Sequence, residues 1–322
     1  MNLKLVAQQT AIRKAGPLAI GDWLFRAVVY GCGLLLVAVM LLMLYELFDG
    51  AHDSITTFGF KFLWTDTWNP VTKVFGALPL IYGTILTSIV ALLLAVPISM
   101  GTAIFISELS PGWLRAPTSY LIEVIAAIPS VILGLWGLFV VVPFMQAHLQ
   151  PFLGNNFGFI PLFEGPQFGL GVLTAAIVLS IMVVPIITAV SRDIFLAVPN
   201  NQREAMLALG ATRWEVVSKG VIPYARSGLI GAVILGLGRA IGETMAVTMV
   251  IGNGFKISTS LFEPSNTIAS AIANEFTEAT YNLYVAALIE TGLILMAITL
   301  IINIIARVLV GTLVRVPARL RE

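Results

Sequence analysis

Residues 204–223 read EAMLALGATRWEVVSKGVIP, a polar stretch between two long apolar windows. The whole sequence is 58% hydrophobic and only 11% charged, whereas a soluble domain carries about 25% charged residues. The apolar residues occur in runs of the roughly 20 residues that a helix needs to cross a bilayer. The stretch 204–223 is therefore expected to be a loop that connects two membrane-spanning helices.

Apolar windows of the required length occur six times. They lie near residues 23–48, 76–106, 121–145, 168–190, 228–251 and 283–309. The first window follows basic residues, as a secretory signal does, but it is too long and no clear cleavage site follows, so an uncleaved anchor is expected. The sequence predicts an all-α membrane protein with six transmembrane helices and both termini on one side.

The positions of Lys and Arg predict which side that is, because short cytoplasmic loops hold the excess of positive charge. The side of the termini carries Lys4, Arg13, Lys14, Arg26, Arg115, Arg192, Arg203, Arg213, Lys219, Arg226, Arg307, Arg315, Arg319 and Arg321. The other side carries Lys61, Lys73 and Lys256. Both termini and the opening stretch are therefore expected to be cytoplasmic.

The stretch 204–223 and the residues just before it contain the capping and helix-ending residues of two short helices joined by a tight turn. Asn201 is expected to cap the first helix together with Glu204, and Gly210 to end it in a left-handed conformation. Thr212 and Glu215 form a second capping-box pattern. The pattern predicts a helix-turn-helix hairpin, although an ordinary structured loop is the alternative.

The same stretch resembles the signature of the permease subunits of ABC-type importers, which reads Glu-Ala-Ala, three residues, Gly, nine residues, Ile, one residue, Leu-Pro. The positions that match at the right spacing are Glu204, Ala205, Gly210 and Pro223. The family's apolar residues are replaced at Met206, Gly220 and Ile222. The resemblance implies a coupling helix that docks on a cytoplasmic ATPase subunit, with Trp214 and Met206 as exposed hydrophobic anchors.

No phosphate-binding G-x-x-x-x-G-K-[ST] motif occurs in the sequence. ATP and Mg²⁺ are therefore expected on a partner ATPase. No nucleophile and base pattern points to an enzyme. The single Cys32 and the separated His52 and His148 predict no metal site and no cofactor. A net charge of +1 gives no support to nucleic-acid binding.

Two charged residues lie inside the fifth window. The run LGLGRAIGETMAVTMVIGN at 235–253 places Arg239 and Glu243 four residues apart, which predicts one helix face. Charges at bilayer depth are costly and usually face a bundle interior or a transport path. The pair is either a structural ion pair or part of an anion path, in which the planar Arg239 guanidinium binds phosphate oxygens.

The segment GRAIGETMAV within this run resembles the phosphate importer permeases of the PstC type. Further matches are FLWT at 62–65, PLIYGT at 79–84, AAIPS at 126–130, ANEF at 273–276 and AALIETGLIL at 286–295. The resemblance implies a type I ABC importer permease fold in the bacterial inner membrane and transport of inorganic phosphate by alternating access. It also implies a second permease of the PstA type, two ATPase subunits of the PstB type and an outside phosphate-binding protein of the PstS type.

The expected organisation has three parts. Residues 1–75 hold the N-terminal tail, the first transmembrane helix and the first outside loop. Residues 76–309 form a five-helix core with the coupling segment at 192–226, and residues 310–322 form a basic cytoplasmic tail. Two more acids, Glu123 in the third window and Glu290 in the sixth, either stabilise the structure or line the path.

Three other functions remain open from the sequence. The first is a permease for another oxyanion or small solute, the second is a secondary transporter driven by an ion gradient, and the third is a scaffold that senses phosphate. The segment GRAIGETMAV favours phosphate over another solute. The polar hairpin favours an ATP-driven importer, because a secondary transporter has no ATPase subunit to dock.

Overall fold

Most of the described residues fold into helices. The computed structural model describes residues 17–313, and within this range six helices are long and apolar enough to cross a membrane. The predicted all-α membrane fold with six spans is confirmed. The basic tail residues Lys4, Arg13, Lys14, Arg315, Arg319 and Arg321 lie outside the described residues.

Shorter helices lie between most of the six spans. The helices are α1 (Pro17–Gly50), α2 (His52–Phe58), α3 (Leu78–Leu109), α4 (Gly112–Ala126), α5 (Ser130–Phe157), α6 (Val172–Leu196), α7 (Asn200–Ala208), α8 (Arg213–Ile241), α9 (Met245–Val250), α10 (Ile268–Glu275) and α11 (Asn282–Leu313). Single 3-10 turns lie at Gly59–Leu63 and Pro161–Phe163. The candidate spans are α1, α3, α5, α6, α8 and α11.

The chain divides into two compact units between Asp49 and Gly50. The first outside loop therefore falls in the second unit, together with the helices that follow it. Within this loop Phe62 and Phe75 are fully buried and pack with Leu288 of α11. Their burial holds the loop against the second unit, because large aromatic side chains gain most when packed against a core.

The core of the second unit is centred on α6, which packs closely against α3 and α8. Ala91 and Ala95 of α3 are fully buried in this core, and Gly236 of α8 lies against Ile187 of α6. A Cβ atom at Gly236 would lie 2.6 Å from the Ile187 side chain, so only glycine permits this approach. Small residues thus bring the backbones together, as in other membrane helix contacts.

The third span lies further along the chain than the predicted window at 121–145. A proline disfavours helical conformation in the residue before it. Pro129 accordingly separates α4 from α5, and α5 begins at Ser130. Glu123 therefore lies in α4, where its Oε1 atom forms a 3.3 Å ion pair with Nη1 of Arg192.

The same span continues beyond its predicted end, through Pro143 and Pro151. Two π-helical turns, Gly137–Val141 and Met145–Leu149, precede these prolines. Their different hydrogen-bond spacing lets the helix continue although each proline has no backbone N–H to donate. About half of the predicted outside loop at 146–167 is therefore helix. The predicted start of this loop at residue 146 is wrong because glycine, asparagine and proline between residues 146 and 158 favour a loop.

The fourth and fifth spans also differ from their windows. The window at 168–190 begins too early because Gly169 and Gly171 have positive φ angles of 79° and 149°, and α6 starts after them. The window at 228–251 is wrong at both ends, since α8 begins at Arg213 and ends at Ile241. The second hairpin helix is thus the first part of α8.

The second unit has a hairpin end and a loop end. The hairpin end comprises residues 103–129 and 192–221, where α3 and α6 end and α8 begins. Here Ala103, Phe195 and Val221 are fully buried in one apolar cluster. The loop end comprises residues 59–77 and 251–281.

Candidate functional site

The helix that carries Arg239 breaks before it reaches Glu243. α8 ends at Ile241, residues 242–244 are not helical, and α9 begins at Met245. The two charges therefore do not share the predicted helix face, but they still meet, with Nη2 of Arg239 3.3 Å from Oε2 of Glu243. Gly242 follows the last helical residue, with a φ angle of −89°.

The two members of this pair differ in exposure. The Glu243 side chain is 4% exposed, whereas the Arg239 side chain is 48% exposed. Oε1 of Glu243 also accepts a long hydrogen bond of 3.5 Å from the Ala246 amide. Among the described residues, Glu243 is the one polar partner of the Arg239 guanidinium. The buried carboxylate therefore holds a guanidinium that has unused donors.

Arg239 lines a cleft of about 760 Å³ between α6, α8 and α11. The lining residues are Ile186, Ser227, Gly231, Ile234, Leu235, Gly238, Arg239, Asn303 and Arg307. The α8 residues extend along the cleft for about 18 Å at about 1.5 Å per residue. The cleft is long, apolar along its walls, and has a guanidinium from each of two helices.

Arg307, which was predicted only as one of the basic residues on the cytoplasmic side, also lines the cleft. It lies one turn after Asn303 on α11, and the Asn303 amide donates a 2.9 Å hydrogen bond to the Thr299 carbonyl. Two polar residues four apart in an apolar helix indicate one polar face. That spacing is the signal that could have placed Arg307 in the site.

The break in the fifth span is held from one side by α5. A Cβ atom at Gly134 would lie 2.9 Å from Cα of Ala246, and one at Gly137 would lie 3.1 Å from the Val250 side chain. Both glycines lie in α5 and both neighbours in α9. α9 therefore packs closely on α5, and Glu243 lies two residues before the first residue of α9.

The segment after α9 is fixed by α3. A Cβ atom at Gly83 would lie 2.1 Å from the Asn266 carbonyl oxygen. One residue further, Thr84 Oγ1 accepts a 2.9 Å hydrogen bond from the Ile268 amide at the start of α10. The predicted outside loop at 252–282 thus contains a helix and a buried backbone segment. Burial of this segment is possible because α3 supplies a hydrogen-bond partner for its backbone.

The predicted hairpin is present at residues 200–215, with one cap assigned wrongly. Asn201 lies inside α7, whose N-cap is Pro199 and has no side-chain cap. Gly210 has the expected positive φ angle of 81°. The capping box of Thr212 and Glu215 is confirmed, with the Glu215 amide donating to Thr212 Oγ1 at 3.3 Å.

The hairpin exposes apolar side chains, although not all of those predicted. Trp214 is 60% exposed, as expected for an anchor. Met206 is half-buried and packs in the apolar cluster of the hairpin end, so its assignment as an exposed anchor is wrong. Leu207 and Leu209 are exposed instead, at 52% and 85%.

The other residues of the predicted docking signature lie on the surface or inside the next helix. Glu204 and Ala205 are exposed on α7. Pro223 lies within α8 and follows the π-helical turn Val216–Val221. It therefore does not separate the hairpin from the span, because the π-helical turn lets the helix continue past the proline.

The two other acids that were predicted either to stabilise the structure or to line the path do not line the cleft. Glu123 pairs with Arg192 at the hairpin end, and Glu290 is buried in α11 away from the residues that line the cleft. In residues 17–313, no group of three or more His, Cys, Asp and Glu side chains is arranged to hold a metal ion.

Comparison with known proteins identifies the family. Residues 95–315 match the family model described as "Binding-protein-dependent transport system inner membrane component". The chain belongs to this family.

Two relatives are named "Phosphate transport system permease protein PstC". The chain is 48% identical over 305 residues to the protein of Mesorhizobium japonicum, covering 94% of this chain and 92% of that protein. It is 53% identical over 281 residues to the protein of Pasteurella multocida, covering 86% of each. The chain is thus a multi-pass inner-membrane permease by family and by its six spans.

Solved structures support the same fold. One is the crystal structure of a bacterial ABC transporter involved in the import of the acidic polysaccharide alginate. Its TM-score is 0.58 at 18% identity, covering 90% of this chain and 98% of that chain. An inward-facing structure of the MetNI methionine ABC transporter matches with a TM-score of 0.56 at 17% identity, covering 77% and 100%. The predicted type I ABC importer permease fold is confirmed.

Proposed function

We propose that the chain is the transmembrane permease subunit of an ATP-driven importer of inorganic phosphate. The observation that carries the proposal is the Arg239 guanidinium, which is half exposed in the cleft and is held by the buried Glu243 carboxylate. A guanidinium with unused donors matches the oxygens of a tetrahedral anion. The phosphate permease names of relatives that are about half identical to the chain support this choice of anion.

In this proposal the cleft is one half of the translocation path, and a related permease of the PstA type supplies the other half. Arg239 donates hydrogen bonds to the phosphate oxygens as the anion passes. Glu243 keeps the guanidinium oriented when the path is empty, so that ordering its long side chain costs less when phosphate arrives. Alternating access then moves the anion from the outside to the cytoplasm.

The same pair supplies a basis for selecting phosphate over sulfate. At neutral pH phosphate still carries at least one proton, and its hydroxyl can donate to a carboxylate acceptor. Sulfate has no proton to donate, so beside Glu243 it meets only charge repulsion. Because Glu243 is 4% exposed, this contact requires the guanidinium to move aside from the carboxylate.

The hairpin is proposed as the docking site of a cytoplasmic ATPase subunit of the PstB type, which binds ATP and Mg²⁺. Its contact residues are Glu204, Ala205, Gly210, Trp214 and Pro223, to which the structure adds the exposed Leu209. This places the hairpin end and both termini in the cytoplasm. The loop end then faces outward, toward a phosphate-binding protein of the PstS type.

The test is uptake into liposomes that contain the whole complex, with both permeases, two ATPase subunits and the binding protein. Radiolabelled phosphate and sulfate are supplied outside, and ATP is supplied to the ATPase side. Arg239→Gln is compared with Arg192→Gln, a control at the hairpin end whose guanidinium pairs with Glu123. We expect ATP-dependent uptake of phosphate only, lost in Arg239→Gln and kept in the control.

Other outcomes separate the alternatives. Uptake of sulfate or another oxyanion in place of phosphate would identify a permease with a different substrate. Uptake driven by an ion gradient without ATP would identify a secondary transporter. Full uptake by the assembled Arg239→Gln complex would make the pair structural and would contradict the proposed path.

A further inference from the structure

The hairpin end contains a second pair of arginine and glutamate, which joins α7 to two spans. Arg203 lies in α7, and Glu108 lies in the last turn of α3. The Arg203 Nη2 atom is 2.6 Å from Glu108 Oε1, and its Nε atom is 3.0 Å from Glu108 Oε2. Both side chains are largely buried, at 18% and 8% exposure. The contact is therefore a two-point, shielded ion pair.

The rest of the guanidinium holds the end of α6. Nη2 also donates to the Phe195 carbonyl at 2.8 Å, and Nη1 donates to the Val198 carbonyl at 2.6 Å. A further bond of 3.4 Å reaches Asn200 Oδ1. These carbonyls lie at the negative end of the α6 dipole, where a cation is favourable. The hydrogen bond to Glu108 also raises the pKa of Arg203 above its usual value.

This guanidinium makes five hydrogen bonds, which equals the number of its N–H donors. Unlike Arg239, it has no unused donor with which to bind a ligand. A planar group with every donor used fixes the position of the three segments that it contacts.

α7 has few other buried side chains that hold it against the rest of the second unit. No residue of α7 is fully buried, and Arg203 and Met206 are its only half-buried residues. All other α7 side chains are exposed. A force applied to the exposed face of α7 therefore reaches the spans through Arg203 and Met206 or through the chain termini of the helix.

We infer that Arg203 and Glu108 form a clamp that makes α7 move together with the ends of α3 and α6. Displacement of the docked hairpin by an ATPase subunit then moves these two membrane helices. The inference rests on the proposed function, because it requires an ATPase subunit on α7. It makes Arg203 a positioning residue that transmits movement and does not contact the transported anion.

The variant that tests the clamp is Arg203→Lys in the complete complex. Lysine keeps the positive charge, but its single nitrogen with three donors cannot serve both Glu108 oxygens and both carbonyls. The matched control is Arg192→Lys at the same end, where the partners Glu123 and Asp193 are 57% and 66% exposed. Phosphate uptake and ATP hydrolysis are measured in the same vesicles.

We expect both variants to assemble and to hydrolyse ATP. The phosphate taken up per ATP should fall about ten-fold in Arg203→Lys, as expected when a residue that couples two sites is changed, and should stay unchanged in Arg192→Lys. Glu108→Gln keeps the shape of the carboxylate and one acceptor oxygen, so it should lower the same ratio by less. A residue that is needed only for folding would lower the amount of complex and leave this ratio unchanged.

A second readout does not depend on the substrate. The sequence has one cysteine, Cys32, so a Cys32→Ser background with Ser227→Cys places a single thiol in the cleft. A non-hydrolysable ATP analogue should change the rate at which a charged reagent labels this thiol, and Arg203→Lys should remove that change. Phosphate uptake that fails while this change persists contradicts the proposed substrate but not the clamp.

Two results would overturn the clamp. One is an unchanged ratio of uptake to hydrolysis together with an unchanged labelling response in Arg203→Lys. The other is loss of assembly in both Arg203→Lys and Glu108→Gln, which would show that the pair is required for folding and has no separate role in transmission.

Discussion

The two arginine and glutamate pairs have the same chemistry but different surroundings. Arg203 is 18% exposed and has a partner for every donor, whereas Arg239 is 48% exposed and has one ionic partner among the described residues. The carboxylate is well buried in both pairs. In the roles proposed above, the unused donors, and not the ion pair itself, distinguish the anion-binding Arg239 from the positioning Arg203.

The largest effect on stability is expected from Arg203→Gln. Arg203→Gln and Arg239→Gln each leave a buried carboxylate without its cation, which costs about 3–5 kcal/mol. Arg203→Gln also removes the donors to the Phe195 and Val198 carbonyls, whereas Arg239 has no such bonds among the described residues. The thermal midpoint of the purified complex should therefore fall clearly, and Arg239→Gln should lower it less. Equal midpoints for the two variants would contradict the distinction between a saturated and an open guanidinium.

The largest effect on transport is expected from Arg239→Gln. Losing a hydrogen bond to a charged group costs about 2–3 kcal/mol, which corresponds to a roughly 30- to 150-fold lower rate of phosphate uptake. The amount of assembled complex, measured by size-exclusion chromatography, should not change. A fall in assembly that accounts for the whole loss of uptake would assign Arg239 to folding.

Glu243→Gln should have a smaller effect. Glutamine keeps an oxygen that can accept from the Ala246 amide, but it removes the charge that holds Arg239. Phosphate uptake should fall about ten-fold, as expected for a difference of about 1.4 kcal/mol. In competition assays, added sulfate should inhibit uptake more strongly than in the unmodified complex, because the repelling carboxylate is gone. Unchanged inhibition by sulfate would remove Glu243 from selectivity.

The smallest effect is expected from Arg307→Gln. Its side chain is exposed at the α11 side of the cleft, and an exposed charge contributes up to about 1 kcal/mol. Phosphate uptake at low salt should fall about two- to three-fold, and high salt should remove the difference. A loss as large as that in Arg239→Gln would make Arg307 a second essential ligand of the anion.

The number of spans was predictable because composition and helix length leave few choices for a chain this apolar. The exact third span was not predictable. Pro129 ends a helix, whereas Pro143 and Pro151 are accommodated by π-helical turns. A single sequence does not distinguish these cases, since the outcome depends on whether neighbouring backbone can satisfy the freed carbonyls.

The candidate site was also predictable only in part, because some of its features depend on contacts between residues that are distant in sequence. Arg239 and Glu243 stood out because charge inside an apolar window is costly, so both could be named from the sequence. The break between them depends on contacts of α9 with Gly134 and of Asn266 with Gly83, which are distant in sequence. Arg203 and Glu108 are 95 residues apart, so no local pattern could pair them.

The most direct test measures the labelling of Ser227→Cys in the Cys32→Ser background, with Arg203→Lys and Arg239→Gln side by side. The account predicts that an ATP analogue changes labelling in the unmodified complex and in Arg239→Gln, but not in Arg203→Lys. It also predicts that neither variant supports normal phosphate uptake. An ATP-dependent change that persists in Arg203→Lys and is lost in Arg239→Gln would contradict the assignment of the two guanidinium groups.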